Sequence, residues 1–135
     1  MGCTRFLNPP TLYKPPGYSH VVEIRGPGRI VYIAGQLGLD VQGKLVGPPG
    51  DFRAQATQAF ENLSLALAAV GARFGDIVKL NNYLTDMSHL PILREVRDRY
   101  VNVEAPPAST TVEISKFALP GALFEVEAVV MLADA

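Results

Sequence analysis

The sequence predicts an α+β layer fold in which two helices cover one face of a sheet. Three observations predict it: β-branched runs bounded by Gly and Pro lie toward both ends of the chain, two segments repeat apolar residues at helical spacing, and the elements follow the order strand, strand, helix, strand, helix, strand, strand. The 135 residues, 48% of them hydrophobic, fit a single domain over 1–135 with one core.

Residues 1 to 18 hold Pro9, Pro10, Pro15, Pro16 and Gly17, which disfavour a helix and predict an extended arm laid over the domain. Ser19 to Arg25 reads as a short strand and Gly26-Pro27-Gly28 as a turn. Arg29 to Ala34 is a near-continuous apolar strand, so the two strands are expected to pair as a hairpin. In Gly35-Gln36-Leu37-Gly38, glycines around a polar residue mark either a bend whose backbone is free to bind something or a plain β-bulge.

Asp40 to Gly50 is a Gly- and Pro-rich loop. Asp51 is an N-cap candidate for a helix over Phe52 to Val70, with Phe52, Ala56, Ala59, Phe60, Leu63, Leu67 and Val70 at helical spacing and Gly71 closing it. Asp76 to Thr85 returns as a strand, placing Val78, Leu80, Asn82 and Leu84 on one face and Lys79, Asn81, Tyr83 and Thr85 on the other. A second helix is expected from a Ser88 cap to about Val101, with Pro91 in its first turn. Thr110 to Ile114 and Leu123 to Leu132 flank the Pro120-Gly121 turn as the last two strands.

The last strand alternates. Phe124, Val126, Ala128 and Val130 share a core face, and Glu125, Glu127, Val129 and Met131 the opposite one. Carboxylates there need water or a polar site. With Tyr83 and Lys79 they would form a mixed apolar and polar sheet surface, which predicts self-association. Asn82, assigned to the core face, needs a buried partner.

Composition bounds the function. A net charge of −1 gives no electrostatic footprint for nucleic acid, and the mixed-sign cluster Arg94-Glu95-Val96-Arg97-Asp98-Arg99 reads as a solvated helix face. No signal-peptide pattern and no apolar segment of membrane-spanning length appears, so a soluble cytoplasmic protein with no membrane partner is expected. Cys3 is single and reads as an exposed bystander. His20 and His89, without paired cysteines, give no metal-ligand spacing, so no metal is expected.

Several segments together carry a resemblance: Lys14-Pro-Pro-Gly-Tyr18-Ser, Val31-Tyr-Ile-Ala-Gly-Gln36, Gln55-Ala-Thr-Gln-Ala-Phe-Glu-Asn-Leu63, Gly71 to Val78, Tyr83-Leu-Thr-Asp86-Met, Pro107-Ala108-Ser109 and Glu125-Val-Glu127-Ala128. In order and spacing they resemble the YjgF/RidA family, also called L-PSP endoribonuclease-like, over nearly the whole chain. The resemblance implies a chorismate-mutase-like fold assembled as a homotrimer with clefts between subunits. It also implies cofactor-free hydrolysis of reactive imines or enamines, such as 2-iminopropanoate, to a keto acid and ammonia.

Two positions depart from that pattern. The family's arginine after Pro-Ala, whose fork holds the substrate carboxylate, is Ser109 here, and a serine before Gly-Gln is Ala34. A hydroxyl cannot form the bidentate pair, so deamination of simple 2-imino acids is expected to be weak; Lys116 or a helix arginine would have to reach in from a neighbouring subunit. What the resemblance leaves of the site is Tyr18, Gly35, Gln36 and Glu125, joined through strand parity by Tyr83.

Glu125 is the candidate to position water or shuttle a proton, against the plainer role of a solvated strand glutamate; Glu127 shares its face. Tyr18 is either a ligand hydrogen-bond donor or an aromatic packing the arm. Ser109 is a candidate ligand hydroxyl with no histidine nearby to make it a nucleophile, and Tyr83 is a candidate substrate-binding residue against the plainer role of a sheet-packing aromatic. Three functions follow: a deaminase or hydrolase acting on a small molecule, a non-catalytic ligand-binding or protein-protective trimer, and, least favoured by the acidic pI of about 6, a ribonuclease.

Overall fold

Asp51 converts a glycine-rich loop into a helix. Its carboxylate accepts the Ala54 N–H at 3.0 Å, satisfying one of the donors that a first turn leaves without a partner. Helix α1 (Phe52–Ala69) follows, and Gly71, with φ of 74°, ends it where expected. The structure, a computed structural model, describes residues 3–133 and does not describe the Cys3 side chain, so its expected exposure lies outside the described residues.

Around α1 stand β1 (Cys3–Leu7), β2 (Val21–Arg25), β3 (Gly28–Leu37), β4 (Ile77–Leu84), helix α2 (Leu90–Asp98), β5 (Ala108–Glu113) and β6 (Phe124–Ala133). The main sheet has the order β3-β6-β4-β5. Strand β6 runs antiparallel to both its neighbours, and β4 and β5 are parallel, with α2 in the crossover between them. This is the α+β arrangement the residue pattern predicted.

Three expectations are corrected. The arm contains a strand: β1 pairs antiparallel with β2, from Cys3 opposite Arg25 to Leu7 opposite Val21, because its prolines begin only at Pro9. With β2 taken by β1 and β3 by β6, no hairpin forms across Gly26-Pro27-Gly28; that turn passes the chain from one sheet to the other. The second helix starts later and ends earlier than expected. Ser88 is not its cap: Asp86 caps a single 3-10 turn, Met87–His89, by accepting the Ser88 N–H at 2.9 Å, and α2 then starts from His89, whose side chain makes no capping bond.

The core lies between the helices and the sheet. Phe60, Leu63 and Leu67 of α1 and Val96 of α2 are fully buried against Leu80, Leu84, Phe124, Val126 and Val130. Phe60 stacks on Phe124 and Tyr100 with centroids 5.8 and 5.3 Å apart. Each such side chain contributes roughly 1.5–3 kcal/mol of transfer free energy.

Gly38 sits where this layer is tightest: a Cβ there would stand 2.4 Å from the Gln55 carbonyl oxygen, so the glycine serves close packing of β3's exit on α1. The opposite face of the sheet carries exposed Ile30 and Tyr32, the latter 78% accessible, beside Tyr83, Glu125, Glu127 and Val129. Met131, expected on that open face, is buried beside Gly28.

Candidate functional site

The candidate residues fall into two groups on opposite faces of the sheet. On the open face, β6 places Glu125 opposite Tyr83 of β4, and two residues on, Glu127 opposite Asn81. The ladder between β3 and β6 is broken between Ile33 and Gln36, so the bulge at Ala34-Gly35 is real and brings Gly35 over Glu125. Burial raises the Glu125 pKa above its ordinary value, and the Glu127 charge raises it further. The Tyr83 hydroxyl donates to Glu127 at 2.5 Å, a bond that with burial and the neighbouring carboxylates raises the tyrosine's own pKa.

Two carboxylates on one strand thus have different surroundings: Glu127 is held by a phenol, and Glu125 has no hydrogen-bond partner among the described residues. A partly desolvated carboxylate of this kind takes up and releases protons nearer neutral pH than a solvated one. Gln36 does not project over it. Its amide donates to the Ala34 carbonyl at 3.0 Å, and it lines a hollow of about 720 Å³ between β3 and α1 with Asp40 and Asn62.

The other group sits on the helix side. Ser109 pairs with Leu80 and Thr111 with Asn82 across the parallel ladder, so both hydroxyls share the core-facing side of β5. Asn82, 2% exposed, finds its partners there: Ser109 Oγ, the Thr110 carbonyl and Thr111 Oγ1 share the two Nδ2 hydrogens at 3.1 to 3.3 Å, while Oδ1 has no partner among the described residues.

Tyr18 is brought to this strand by its neighbour. Ser19 is buried, its hydroxyl donates to the Pro106 carbonyl at 2.5 Å and its N–H to that of Pro107 at 3.1 Å, which stitches the arm to the entry of β5. The Tyr18 hydroxyl also shares a hydrogen bond with that of Tyr13. A cleft of about 420 Å³ results, lined by Tyr18, Ser109 and Thr111 and, from α2, by Arg94 and Arg97.

The Endoribonuclease L-PSP family profile matches residues 12–132. The chain belongs to the L-PSP family. It is 32% identical to a 2-iminobutanoate/2-iminopropanoate deaminase of Dermatophagoides farinae over 98% of this chain and 99% of that protein. It is 35% identical to the mouse protein of the same name over 77% of this chain and 82% of that one. Among solved structures, a Rid family protein of unknown function from Yersinia pestis matches with a TM-score of 0.83 at 33% identity, covering 96% of this chain and 98% of that one. RidA from an Antarctic Psychrobacter matches with a TM-score of 0.71 at 33% identity, covering 84% and 89%.

Within this L-PSP fold one chain does not gather its candidates into a single pocket: Glu125, Gly35 and Tyr83 lie on one sheet face, Tyr18 and Ser109 on the other. The cluster from Arg94 to Arg99 is not simply a solvated face. Arg97 keeps a side chain only 13% exposed, and Arg94 and Arg97 reach the Ser109 cleft within the same chain. The spacing of three residues, which sets both on one side of α2, was the available signal. Lys116 lies elsewhere, beside the Pro120-Gly121 turn.

Proposed function

We propose that the protein is a RidA-type deaminase or hydrolase that acts without a cofactor on the imine or enamine form of a small metabolite. The observation that carries this reading is Glu125: a partly buried carboxylate with a raised pKa, without a hydrogen-bond partner among the described residues and covered by a glycine. Such a group positions water for attack on an imine carbon and takes its proton, after which the tetrahedral amine loses ammonia to leave a carbonyl. The open sheet face, with Tyr32 and Ile30 exposed beside Glu125 and Glu127, supports assembly as a homotrimer in which a neighbour completes the cleft over Glu125.

Ser109 shapes the specificity. It places no charge on β5, so a small 2-imino acid has no bidentate clamp at that position, and 2-iminopropanoate is a poor substrate. The names of two relatives, both 2-iminobutanoate/2-iminopropanoate deaminases, support the reaction class. For the ribonuclease reading nothing in the geometry assembles a histidine pair: His20 bonds the Tyr13 carbonyl in the arm, and His89 stacks on Phe52 under α1.

Ammonia release from 2-iminopropanoate generated in situ tests the proposal, with wild type, Ser109→Arg, and Ser109→Arg combined with Glu125→Gln measured side by side. Low turnover in wild type, a gain of about tenfold or more in the arginine variant, and loss of that gain with Glu125→Gln are expected. Undiminished turnover after Glu125→Gln would remove the basis of the reading.

A further inference from the structure

Strand β6 carries Glu125 and Glu127 two residues apart on the open sheet face, at a rise of about 3.3 Å per residue, so their charges lie within repelling distance. Two acids so placed compete for a single charge, and the one with the better hydrogen-bond donor keeps it. Among the described residues one donor touches the pair. The Tyr83 hydroxyl donates to Glu127 Oε1 at 2.5 Å and makes no bond to Glu125.

The ladder explains why the phenol reaches the farther glutamate. Tyr83 stands directly opposite Glu125, and its side chain extends to the next pair on that face, Asn81 and Glu127, a diagonal that a tyrosine ring spans. From β4, Asn81 lines a hollow with Glu127 and Tyr32 but makes no hydrogen bond to the carboxylate, and Lys79, on the same face, turns its ammonium to Thr110 Oγ1 at 2.7 Å. Strand β3 adds the Tyr32 phenol and the Gly35 backbone, and β5 places Thr110 and Val112 beside Asn81 and Tyr83. No cation therefore pairs with either carboxylate among the described residues, and a neutral hydroxyl makes the difference between them. The bond to Glu127 also raises the Tyr83 pKa, so the phenol keeps its proton to donate.

From this we infer that Tyr83 is a positioning residue of the site: its hydroxyl pins Glu127 as the charged carboxylate and leaves Glu125, beneath Gly35, as the one that carries a proton in and out. The inference rests on the imine hydrolase reading for what that proton does, and it gives Tyr83 a role other than ligand contact or packing. Burial first, and then the Glu127 charge held at a fixed place, disfavour a charge on Glu125. A base in that setting takes the proton of the attacking water and gives it to the leaving amine. Two acids of one residue type thus divide acid-base work by the reach of a single hydroxyl.

The proton on each acid is read without turnover by NMR of glutamate carboxyl carbons in the labelled full-length protein, titrated from about pH 4 to pH 8, with signals assigned by their loss in Glu125→Gln and Glu127→Gln. Wild type is expected to show Glu125 titrating in one step above 4.5. Tyr83→Phe keeps the ring and removes only the hydroxyl; it should split that step in two, with both carboxyls moving in each and the Glu125 midpoint drawn back toward 4.5. Because the phenol acts through Glu127, Tyr83→Phe added to Glu127→Gln should leave the Glu125 curve where Glu127→Gln alone puts it. The acid limb of kcat/KM for ammonia release should follow the Glu125 curve from variant to variant. A bond that only ties β4 to β6 would alter the unfolding midpoint and leave the Glu125 titration unmoved in Tyr83→Phe; that outcome, or an equal displacement with and without Glu127, overturns the inference. A displaced Glu125 titration in a protein whose ammonia release does not need Glu125 sinks the hydrolase reading and leaves the Tyr83 assignment standing, and Glu125-dependent turnover with an unmoved titration does the reverse.

Discussion

Gly35 lies directly over the carboxylate of Glu125: a Cβ built on it would stand 2.4 Å from Glu125 Cδ and 2.6 Å from Oε1. The bulge in β3 sets this approach, and a hydrogen at that position lets the carboxylate stay beneath the strand. Replacing Gly35 with Ala should push the Glu125 side chain aside and lower kcat/KM by about tenfold to a hundredfold, the scale at which misplaced catalytic groups act. Thermal unfolding should change far less than activity. A variant with full activity would show that Glu125 needs no such covering.

Glu125→Gln should reduce turnover on the native substrate by about 10² to 10⁴-fold. The fold should persist, since the side chain is only half-buried and makes no hydrogen bond among the described residues. Steady-state ammonia release together with circular dichroism separates these outcomes. A collapse of structure in step with activity would make Glu125 a folding residue.

The pH profile carries a sign. Burial first, and Glu127 second, hold the Glu125 pKa above the glutamate value of 4.5, and a base works only when deprotonated, so the acid limb of kcat/KM should fall above 4.5. Glu127→Gln removes one of the two causes and should move that limb downward. The stability linkage runs the other way. A carboxyl whose folded pKa is raised favours folding in its protonated form, a contribution lost as pH rises through the folded pKa.

Asn82→Ala should destabilise the protein by about 1–3 kcal/mol, because the buried amide joins β4 to β5 through the Thr110 carbonyl and the Ser109 and Thr111 hydroxyls. Urea denaturation gives the number. If the unpartnered Oδ1 dominates the energetics, the loss will be smaller and Asn82→Leu will come close to wild type.

Gln55→Ala should cost a similar amount. Its amide clamps the β5-to-β6 connection, donating to the Gly121 carbonyl at 3.1 Å and accepting the Leu123 N–H at 2.8 Å from a fully buried position on α1. Hydrogen exchange at Leu123 should accelerate in the variant, and unchanged exchange would show that the turn holds itself.

Local signals determined α1 and β6 by themselves. The Asp51 cap, the 3.6-residue spacing through Phe60 and Leu67, the Gly71 stop and the alternation from Phe124 to Val130 depend on neighbours in the chain, and these two elements formed where those neighbours pointed. Parity alone also placed Asn82 inside and Glu125 and Tyr83 together on the other face. Pairing was another matter. Which strand takes the edge of β2 depends on a competition between β1 and β3 that no local pattern contains, so the hairpin across Gly26-Pro27-Gly28 yielded to β1. The tertiary structure alone decided the site: it lowered the arm onto Pro106 and Pro107 through Ser19, set Tyr18 beside Ser109, and turned Arg94 and Arg97 into the same cleft. The arm's contacts join residues about ninety positions apart in sequence, and the geometry of the cleft exists only after helix, arm and strand have packed.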